Sequence, residues 1–298
     1  MESTRYIKNC RKEGECNMNY HSDEWIKEKL QEHYKYACEH YDEKLIIGLF
    51  LRGSQNYGLD DENSDVDTML LVNPSIEDIC LAKKPISTTW ILSNDEHIDV
   101  KDIRLMQGQI LKQSPQFMEC LMTPYFILGS QAFIPWNNFI NHKEYWFNYD
   151  RKKMIKAMRG YAHEKHHALE HVYPSRANII EQFGYDPKQL MHLARYKQLV
   201  KEFALGKPFP DILICNDPEV EAYLRELKSG KFNIDSARRF ADEILETADK
   251  YTQLVIDHEP DADKEKCKLI EDKLAYDIAK FVEYSLRQQF EREKNEKN

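Results

Sequence analysis

The sequence predicts an α+β protein in which a mixed sheet with flanking helices is followed by an α-helical domain. Four short apolar segments, each of strand length and rich in aliphatic, β-branched or aromatic residues, lie between residues 44 and 103. Amphipathic helical patterns lie before and between these segments. From about residue 145 the strand signals fade and long amphipathic patterns replace them. We therefore expect one domain over residues 1–145, including an N-terminal helix, and a helical domain over residues 146–298.

The elements of the first domain begin with a capped helix. Ser22 precedes DEWIKEKLQEHYKYACEHY, which is acidic in its first turn and carries apolar residues at helical spacing. Short helices are expected later, and Pro115 suits the first position of the last one. In chain order we expect strands at KLIIGLFL (44–51), DTMLLVN (67–73), ISTTWILS (86–93) and EHIDVKDI (96–103), and short helices at PSIEDICLA (74–82), RLMQGQILKQ (104–113) and PQFMECLM (115–122).

The second domain shows start and stop signals for several helices. Asp186 and Asp217 each stand before a proline that opens an amphipathic pattern, and Gly206 is expected to end the first of these helices. Asp235 is expected to cap SARRFADEILETADKYTQLVIDH. A final helix is expected from about Asp263 into the charged end of the chain.

The composition excludes several classes of protein. Charged residues make up 31% and hydrophobic residues 42% of the chain, as in globular domains. No apolar run approaches the roughly 18 residues that span a bilayer, and no secretory leader is visible, so we expect no membrane association. The seven scattered cysteines suit a reducing cytoplasm. A net charge of −9 argues against bulk binding of duplex DNA.

Carboxylates concentrate around one predicted strand. In RGSQNYGLDDENSDVDTMLLV (52–72), Asp65 and Asp67 stand two positions apart at the start of the strand and point the same way. If EHIDVKDI is the neighbouring strand, Asp99 completes a three-carboxylate cluster. Three close anions need a raised pKa or a divalent cation. Mg²⁺ is the cation that suits a few carboxylates together with substrate phosphates.

Two other aspartates compete for the place of the third carboxylate. Asp95 precedes the alternating part of the predicted strand, and Asp102 lies near its end. Asp102 is also placed to form an ion pair with Arg104 or to start a helix. Asp99 is preferred because it lies within the Ile98/Val100 alternation.

A Gly-Ser pair at the end of the preceding strand predicts a phosphate site. Gly53 allows backbone to approach a ligand closely, and Ser54 and the turn after it offer N–H and O–H donors to phosphate oxygens. Tyr57 in the same turn either stacks on a base or ribose or packs on the domain surface.

These motifs resemble those of the DNA polymerase β-like nucleotidyltransferase superfamily. The pattern is a strand, Gly-Ser, an Asp-x-Asp pair and a third acidic residue on a later strand; YGLDDENSDVDTM is most similar to the YcgL/RlaP-type branch of bacteria and phages. DVKDIRLMQGQILKQSPQFMECLMTPYFI extends the similarity, with Ser114-Pro115 where that branch has Asn-Pro. The resemblance covers roughly residues 45–205.

The resemblance implies a polymerase β-like palm followed by a helical domain, and it implies roles for individual residues. Asp65, Asp67 and Asp99 would be catalytic ligands of two Mg²⁺ ions, with Mn²⁺ as a substitute. Gly53 and Ser54 would bind the triphosphate. The reaction would move a nucleoside monophosphate from an NTP, with ATP expected, to a hydroxyl or phosphate acceptor and release pyrophosphate. An RNA 3′ end, a protein and a small molecule all remain open as acceptors.

A basic stripe supplies further candidates for nucleotide binding. Lys188, His192 and Arg195 recur at helical spacing on the helix that begins after Asp186. In YDPKQLMHLARYKQL they also resemble the basic helix of the same branch. The competing candidates for this role are Arg151, Lys152 and Arg159.

Two other functions remain open. One is a non-catalytic nucleotide-binding or regulatory protein, for example a component of a toxin–antitoxin or phage-defence pair. The other is a hydrolase or nuclease that uses the same carboxylates, although the Gly-Ser pair has no evident use there.

Overall fold

The apolar segments of the first half form one five-stranded mixed sheet in the computed structural model, which describes residues 20–130, 132–147, 149–213 and 217–296. Residues 1–19 of the predicted first domain lie outside these ranges. The strand order is β3-β4-β2-β1-β5. The β2–β4 pair is parallel, and the pairs β1–β2, β1–β5 and β3–β4 are antiparallel. The strands are β1 (Ile46–Arg52), β2 (Asp67–Val72), β3 (Ser87–Ile91), β4 (His97–Asp102) and β5 (Phe126–Leu128).

Thirteen α-helices accompany the sheet in the described part of the chain, so the predicted α+β class is confirmed. None of these helices is long and apolar enough to cross a membrane. The helices are α1 (Asp23–His40), α2 (Ile76–Cys80), α3 (Met106–Leu111), α4 (Pro115–Met122), α5 (Phe133–Ile140), α6 (Lys143–Phe147), α7 (Arg151–His167), α8 (Ala177–Phe183), α9 (Pro187–Ala204), α10 (Phe209–Ile212), α11 (Pro218–Lys228), α12 (Ile234–His258) and α13 (Lys264–Glu296).

Helix α1 packs on one face of the sheet. Ser22 caps it as predicted, with its hydroxyl accepting a hydrogen bond from the Trp25 N–H at 3.2 Å. The apolar side of α1 packs against alternate residues of the central strands. The main contributors to this core are Ile26, Leu30 and Ala37 from α1, with Leu49, Leu51, Leu70, Val72, Ile98 and Val100 from the sheet.

Strand β5 is an element that the sequence did not predict. It is three residues long, and Phe126 lies opposite Phe50 of β1. A segment this short gives no period-two pattern, so its strand conformation depends on the pairing with β1.

The chain divides into two compact units whose boundaries differ from the predicted domains at the C-terminal end. The first unit holds the described residues up to 111, then 116–146 and 264–296; the second holds 112–115 and 147–263. The expected boundary at 145/146 is therefore close, but α13 belongs to the first unit instead of the second. The reason is that α13 packs against α3, α5 and the 3₁₀ turn at Ile103–Leu105.

Helix α9 packs against α7, α11 and α12 in the second unit. The caps predicted at Asp186 and Asp217 are observed, and Gly206 adopts a φ of 95° just past the end of α9. The cap predicted at Asp235 is wrong: Asn233 caps α12 and accepts from the backbone N–H three residues later at 2.9 Å. Asp235 instead lies in the first turn, where a negative charge complements the helix dipole.

Candidate active site

The pairing of β2 with β4 brings two of the predicted carboxylates onto one face of the sheet. The two strands are neighbours, as expected, and Met69 lies opposite Asp99. Alternate residues of a strand point to the same face, so Asp67 and Met69 share a face with Asp99. Leu70 and Val100 point to the other face, where α1 packs. The two carboxylates therefore lie on the face opposite α1.

The remaining predicted carboxylate, Asp65, lies before β2 begins. It is exposed in the irregular segment that leads into β2. Its backbone carbonyl accepts a hydrogen bond from the Gln55 Nε2 at 2.9 Å. Gln55 belongs to the turn after Gly53, so one hydrogen bond ties the Gly-Ser turn to the Asp-x-Asp segment. Nothing in the sequence pattern had singled out Gln55.

The Gly-Ser turn has a backbone conformation that favours glycine. Gly53 has a φ of 93°, which a residue with a Cβ adopts only under strain, and Ser54 starts a 3₁₀ turn. The Asn56 side chain donates to the Leu51 carbonyl at 2.9 Å and holds the turn against the end of β1. Tyr57 is buried, so it packs inside the domain instead of offering its ring to a base.

Asp99 is held by two side chains from other strands. Its carboxylate forms an ion pair with the Arg52 guanidinium, and the Thr89 hydroxyl donates to it at 2.5 Å. Thr89 lies directly opposite Asp99 on β3. Arg52 reaches Asp99 from β1, across the intervening strand β2. Sequence reasoning missed Arg52, although its position directly before Gly53 was a signal.

Asp67 is held by its neighbour on β4. The His97 backbone N–H donates to an Asp67 oxygen at 3.2 Å, and the His97 Nδ1 lies 3.1 Å from the same oxygen. The Asp67 side chain is 37% exposed and the Asp99 side chain 22% exposed, so solvent reaches both. Each carboxylate thus combines a protein partner with access from outside.

The donor chemistry of these carboxylates suits Mg²⁺, but the predicted three-carboxylate cluster is not assembled. Carboxylate oxygens on one partly exposed face are the ligands that a hard divalent cation prefers. Among the described residues, however, no group of three or more His, Cys, Asp and Glu side chains is placed to hold a metal ion. Arg52 holds Asp99, His97 holds Asp67, and Asp65 lies outside the strand. A cation shared by Asp67 and Asp99 therefore stays a prediction.

A buried hydrogen-bond network around Glu96 lies beside Val66, the residue between Asp65 and Asp67. The Glu96 carboxylate accepts from the Val66 N–H at 3.3 Å and lies 3.0 Å from the His33 Nε2, and the Asn94 amide donates to it at 2.6 Å. On its other side, the His33 Nδ1 lies 3.0 Å from the Thr68 hydroxyl. Burial opposes ionisation of Glu96, but the hydrogen bonds from His33 and Asn94 outweigh it and hold the Glu96 pKa below its ordinary value. The network fixes the backbone at the start of β2.

The two competing candidates for the third carboxylate are placed elsewhere. Asp95 is exposed in the turn before β4. Asp102 is buried and forms the expected ion pair with Arg104, with 2.5 Å between the Arg104 Nη2 and the Asp102 Oδ2. Asp95 thus lies outside the sheet, and Asp102 points to the same face as Val100. Asp99 remains the best-placed third residue.

The predicted basic stripe lies on α9, in the second unit. Lys188 and His192 are half-buried, whereas Arg195 is buried and its guanidinium donates to the Leu213 carbonyl at 3.5 Å. Burial lowers the His192 pKa well below its ordinary value, and the positive charges of Lys188 and Arg195 add to this effect. Arg195 therefore does not lie on a solvent-exposed side of α9. The phosphate-binding role of the three residues stays a prediction.

The three competing cations have acidic partners within the same unit. Each forms an ion pair between α7 and a residue of α12 or of the segment that follows it. The pairs and their shortest N–O distances are Arg151–Glu259 at 2.8 Å, Lys152–Asp261 at 2.7 Å and Arg159–Asp249 at 2.7 Å.

Comparison with known proteins gives a remote likeness. No family model matches the chain, and no curated protein matches it. Among solved structures, the chain is similar to a nucleotidyltransferase-like protein from Exiguobacterium sibiricum 255-15, with 9% sequence identity and a TM-score of 0.30. That match covers 88% of this chain and 91% of the other. Similarity at this level does not place the chain in a family.

Proposed function

We propose that the protein is a Mg²⁺-dependent nucleotidyltransferase of the polymerase β-like type. It would move a nucleoside monophosphate from an NTP, with ATP expected, to a hydroxyl or phosphate acceptor and release pyrophosphate. The observation that carries the proposal is the shared sheet face of Asp67 and Asp99, next to the strand that ends in the Gly53–Ser54 turn.

The carboxylates would hold the metal ions in this proposal. Asp67 and Asp99 would be joined by Asp65 from the segment before β2. Bound there, Mg²⁺ would activate the attacking oxygen and stabilise the leaving one. The hydrogen bond from Gln55 to the Asp65 carbonyl keeps that segment next to the Gly-Ser turn.

The Gly-Ser turn would bind the triphosphate. Gly53 keeps the turn free of a Cβ, and Ser54 offers its hydroxyl and backbone N–H to phosphate oxygens. The phosphate-binding role of Lys188, His192 and Arg195 stays a separate prediction.

Charge-neutral substitution tests the carboxylates. Asp67→Asn and Asp99→Asn should each lower Mg²⁺-dependent pyrophosphate release from ATP at least about a hundredfold, because interactions with transition-state charge carry several kcal/mol. Asp95→Asn is the matched control: it removes an equal charge from an exposed turn, and asparagine tolerates the φ of 62° found there. Full activity of the Asp67→Asn protein, with its tryptophan fluorescence unchanged, would refute the proposal.

Two glycine variants distinguish a loss of phosphate binding from an effect of backbone strain. Gly53→Ala and Gly206→Ala place a Cβ on residues with φ of 93° and 95°, respectively, so each should cost about 1–3 kcal/mol of stability, with Gly53→Ala towards the upper end because its ψ of −160° is open essentially only to glycine. Only Gly53→Ala should also raise the KM for ATP, because only Gly53 lies in the proposed phosphate-binding turn. Equal KM values for the two variants would contradict the role of the turn.

The acceptor requires a direct search. Incubation with each α-labelled NTP and Mg²⁺ should transfer label to one fraction among cell RNA, protein and small molecules. The Asp67→Asn protein is the blank, since it should label none of them.

One observation favours a second candidate, a non-catalytic nucleotide-binding protein. Arg52 and His97 already hold Asp99 and Asp67, and a protein that never binds a metal could keep these contacts permanently. In that case ATP with Mg²⁺ should raise the melting temperature without being consumed. Consumption of ATP that depends on Asp67 excludes this candidate.

A further inference from the structure

The Arg52–Asp99 ion pair has an unusual path across the sheet. Arg52 lies directly opposite Asp67 on the neighbouring strand, yet its guanidinium bonds to Asp99 one strand further on. To do so it must extend over β2, on the face that carries Asp67. The guanidinium is therefore the positively charged partner of Asp99, and it lies in the region where a cation shared by Asp67 and Asp99 would lie.

The surroundings of Arg52 show that this positive charge is confined. Its side chain is 29% exposed, so most of its surface is covered by the surrounding protein. Lys101, two residues after Asp99 on β4, lies on the same sheet face as Asp99. Arg52 and a divalent cation would repel each other here, so they compete for Asp99.

Arg52 is also the last residue before the Gly53–Ser54 turn. A guanidinium that leaves Asp99 remains attached to the backbone that is proposed to hold the triphosphate. Its planar set of donors matches phosphate oxygens as well as it matches a carboxylate. One side chain can therefore exchange a carboxylate partner for a phosphate partner by changing rotamer.

We propose that Arg52 is a counter-ion that occupies Asp99 in the metal-free chain and changes to the triphosphate when a divalent cation takes its place. The inference rests on the proposed function and adds a residue to it. Arg52 then has two effects of opposite sign: it weakens cation binding in the absence of nucleotide and strengthens binding of the nucleotide.

The first effect is measured by titrating the full chain with Mn²⁺ in the absence of nucleotide. If the ion pair is formed about nine-tenths of the time, the apparent Kd is about tenfold above its intrinsic value. Arg52→Gln should therefore bind Mn²⁺ about tenfold more tightly than the wild type. Lys101→Gln is the matched control, because it removes an equal charge from the same sheet face, where Lys101 donates to Ser87 at 2.7 Å. It should change the affinity less than about threefold, since a charge that is bound to Ser87 and not to Asp99 has little effect.

The second effect is the KM for ATP, which Arg52→Gln should raise about tenfold because a charged donor to phosphate is lost. A variant that is only misfolded would bind both Mn²⁺ and ATP more weakly. Tighter binding of Mn²⁺ together with weaker binding of ATP is therefore a result that structural damage does not produce. The gain in Mn²⁺ affinity should also disappear when Asp99→Asn is added to Arg52→Gln, because no carboxylate is then left to release.

The outcomes separate this inference from the proposed function. Unchanged Mn²⁺ affinity in Arg52→Gln, with ATP still consumed by the wild type, overturns the role of Arg52 alone. A gain that survives Asp99→Asn, or that Lys101→Gln reproduces in full, overturns it as well. Absence of Mn²⁺ binding by wild type and Arg52→Gln alike overturns both proposals.

Discussion

Replacing Glu96 by alanine is expected to destabilise the first unit by about 3 kcal/mol. Glu96 is 5% exposed and lies 3.0 Å from the His33 Nε2 and 3.3 Å from the Val66 N–H, both buried. Glu96→Ala leaves two buried groups, the His33 Nε2 and the Val66 N–H, without this partner, and at about 1–3 kcal/mol each the cost is about 2–6 kcal/mol. Alanine also removes the cost of burying a carboxylate, which places the expected value at the lower end of that range.

The assay uses the positions of the tryptophans. All four tryptophans of the chain belong to the first unit, at positions 25, 90, 136 and 146. Urea unfolding followed by tryptophan fluorescence therefore reports on the unit that contains Glu96. With an m value of about 2 kcal/mol per molar urea, a loss of about 3 kcal/mol lowers the midpoint by about 1.5 M.

Two further variants show which property of Glu96 matters. Glu96→Gln keeps an acceptor of nearly the same shape and should cost about 1 kcal/mol. Glu77→Ala removes a carboxylate that is 68% exposed and pairs with Lys83 at 2.7 Å, and it should change stability by less than about 0.5 kcal/mol. If Glu96→Ala lowers the midpoint no more than Glu77→Ala, the buried network does not hold the start of β2 in place.

Two other predictions concern the same unit. A Cβ on Gly129 would lie 2.0 Å from the Ile46 carbonyl oxygen, so Gly129→Ala should lower the free energy of unfolding in the fluorescence assay by about 3 kcal/mol. A Cβ on Gly108 would meet no such atom within 4 Å, so Gly108→Ala should raise the free energy of unfolding by up to about 1 kcal/mol. Burial raises the pKa of Cys120 to about 12, and the residue is 2% exposed. Brief iodoacetamide treatment at about pH 8, read by peptide mass spectrometry, should therefore label the exposed Cys80 at least about a hundredfold faster. Comparable labelling of the two thiols would contradict the burial of Cys120.

Local patterns in the sequence were sufficient to predict the strands that carry the site. The alternation in EHIDVKDI predicted a strand, and in β4 Ile98 and Val100 lie in the core, on the face against α1. The same alternation put Asp99 on the opposite face, beside the strand of Asp67. Period-two patterning contains this information because a one-residue shift would turn every side chain to the wrong face.

Contacts between distant segments could not be predicted in the same way. The ion pair between Arg52 and Asp99 joins strands that are not neighbours, and the Glu96–His33 pair joins the start of β4 to α1. Helix α13 packs in the first unit although its sequence follows the second. Each of these depends on tertiary packing, which no local propensity encodes. The sequence therefore could not predict the partners of the aspartates. For the same reason it could not predict that the described residues contain no preassembled three-carboxylate group.

In the proposed site, the partners of Asp99 in the metal-free chain are those that a metal ion would replace. A half-buried carboxylate is costly without a positive or hydrogen-bonding partner, so Asp99 needs Arg52 and Thr89 whenever no cation is bound. Asp99→Asn leaves the Arg52 guanidinium without its charged partner, and it should therefore lower stability as well as activity. Arg52→Gln instead leaves an uncompensated carboxylate, which a divalent cation can neutralise. Added Mn²⁺ should thus restore the stability of the Arg52→Gln protein but not that of the Asp99→Asn protein, and equal responses of the two would show that Asp99 is not where the cation binds.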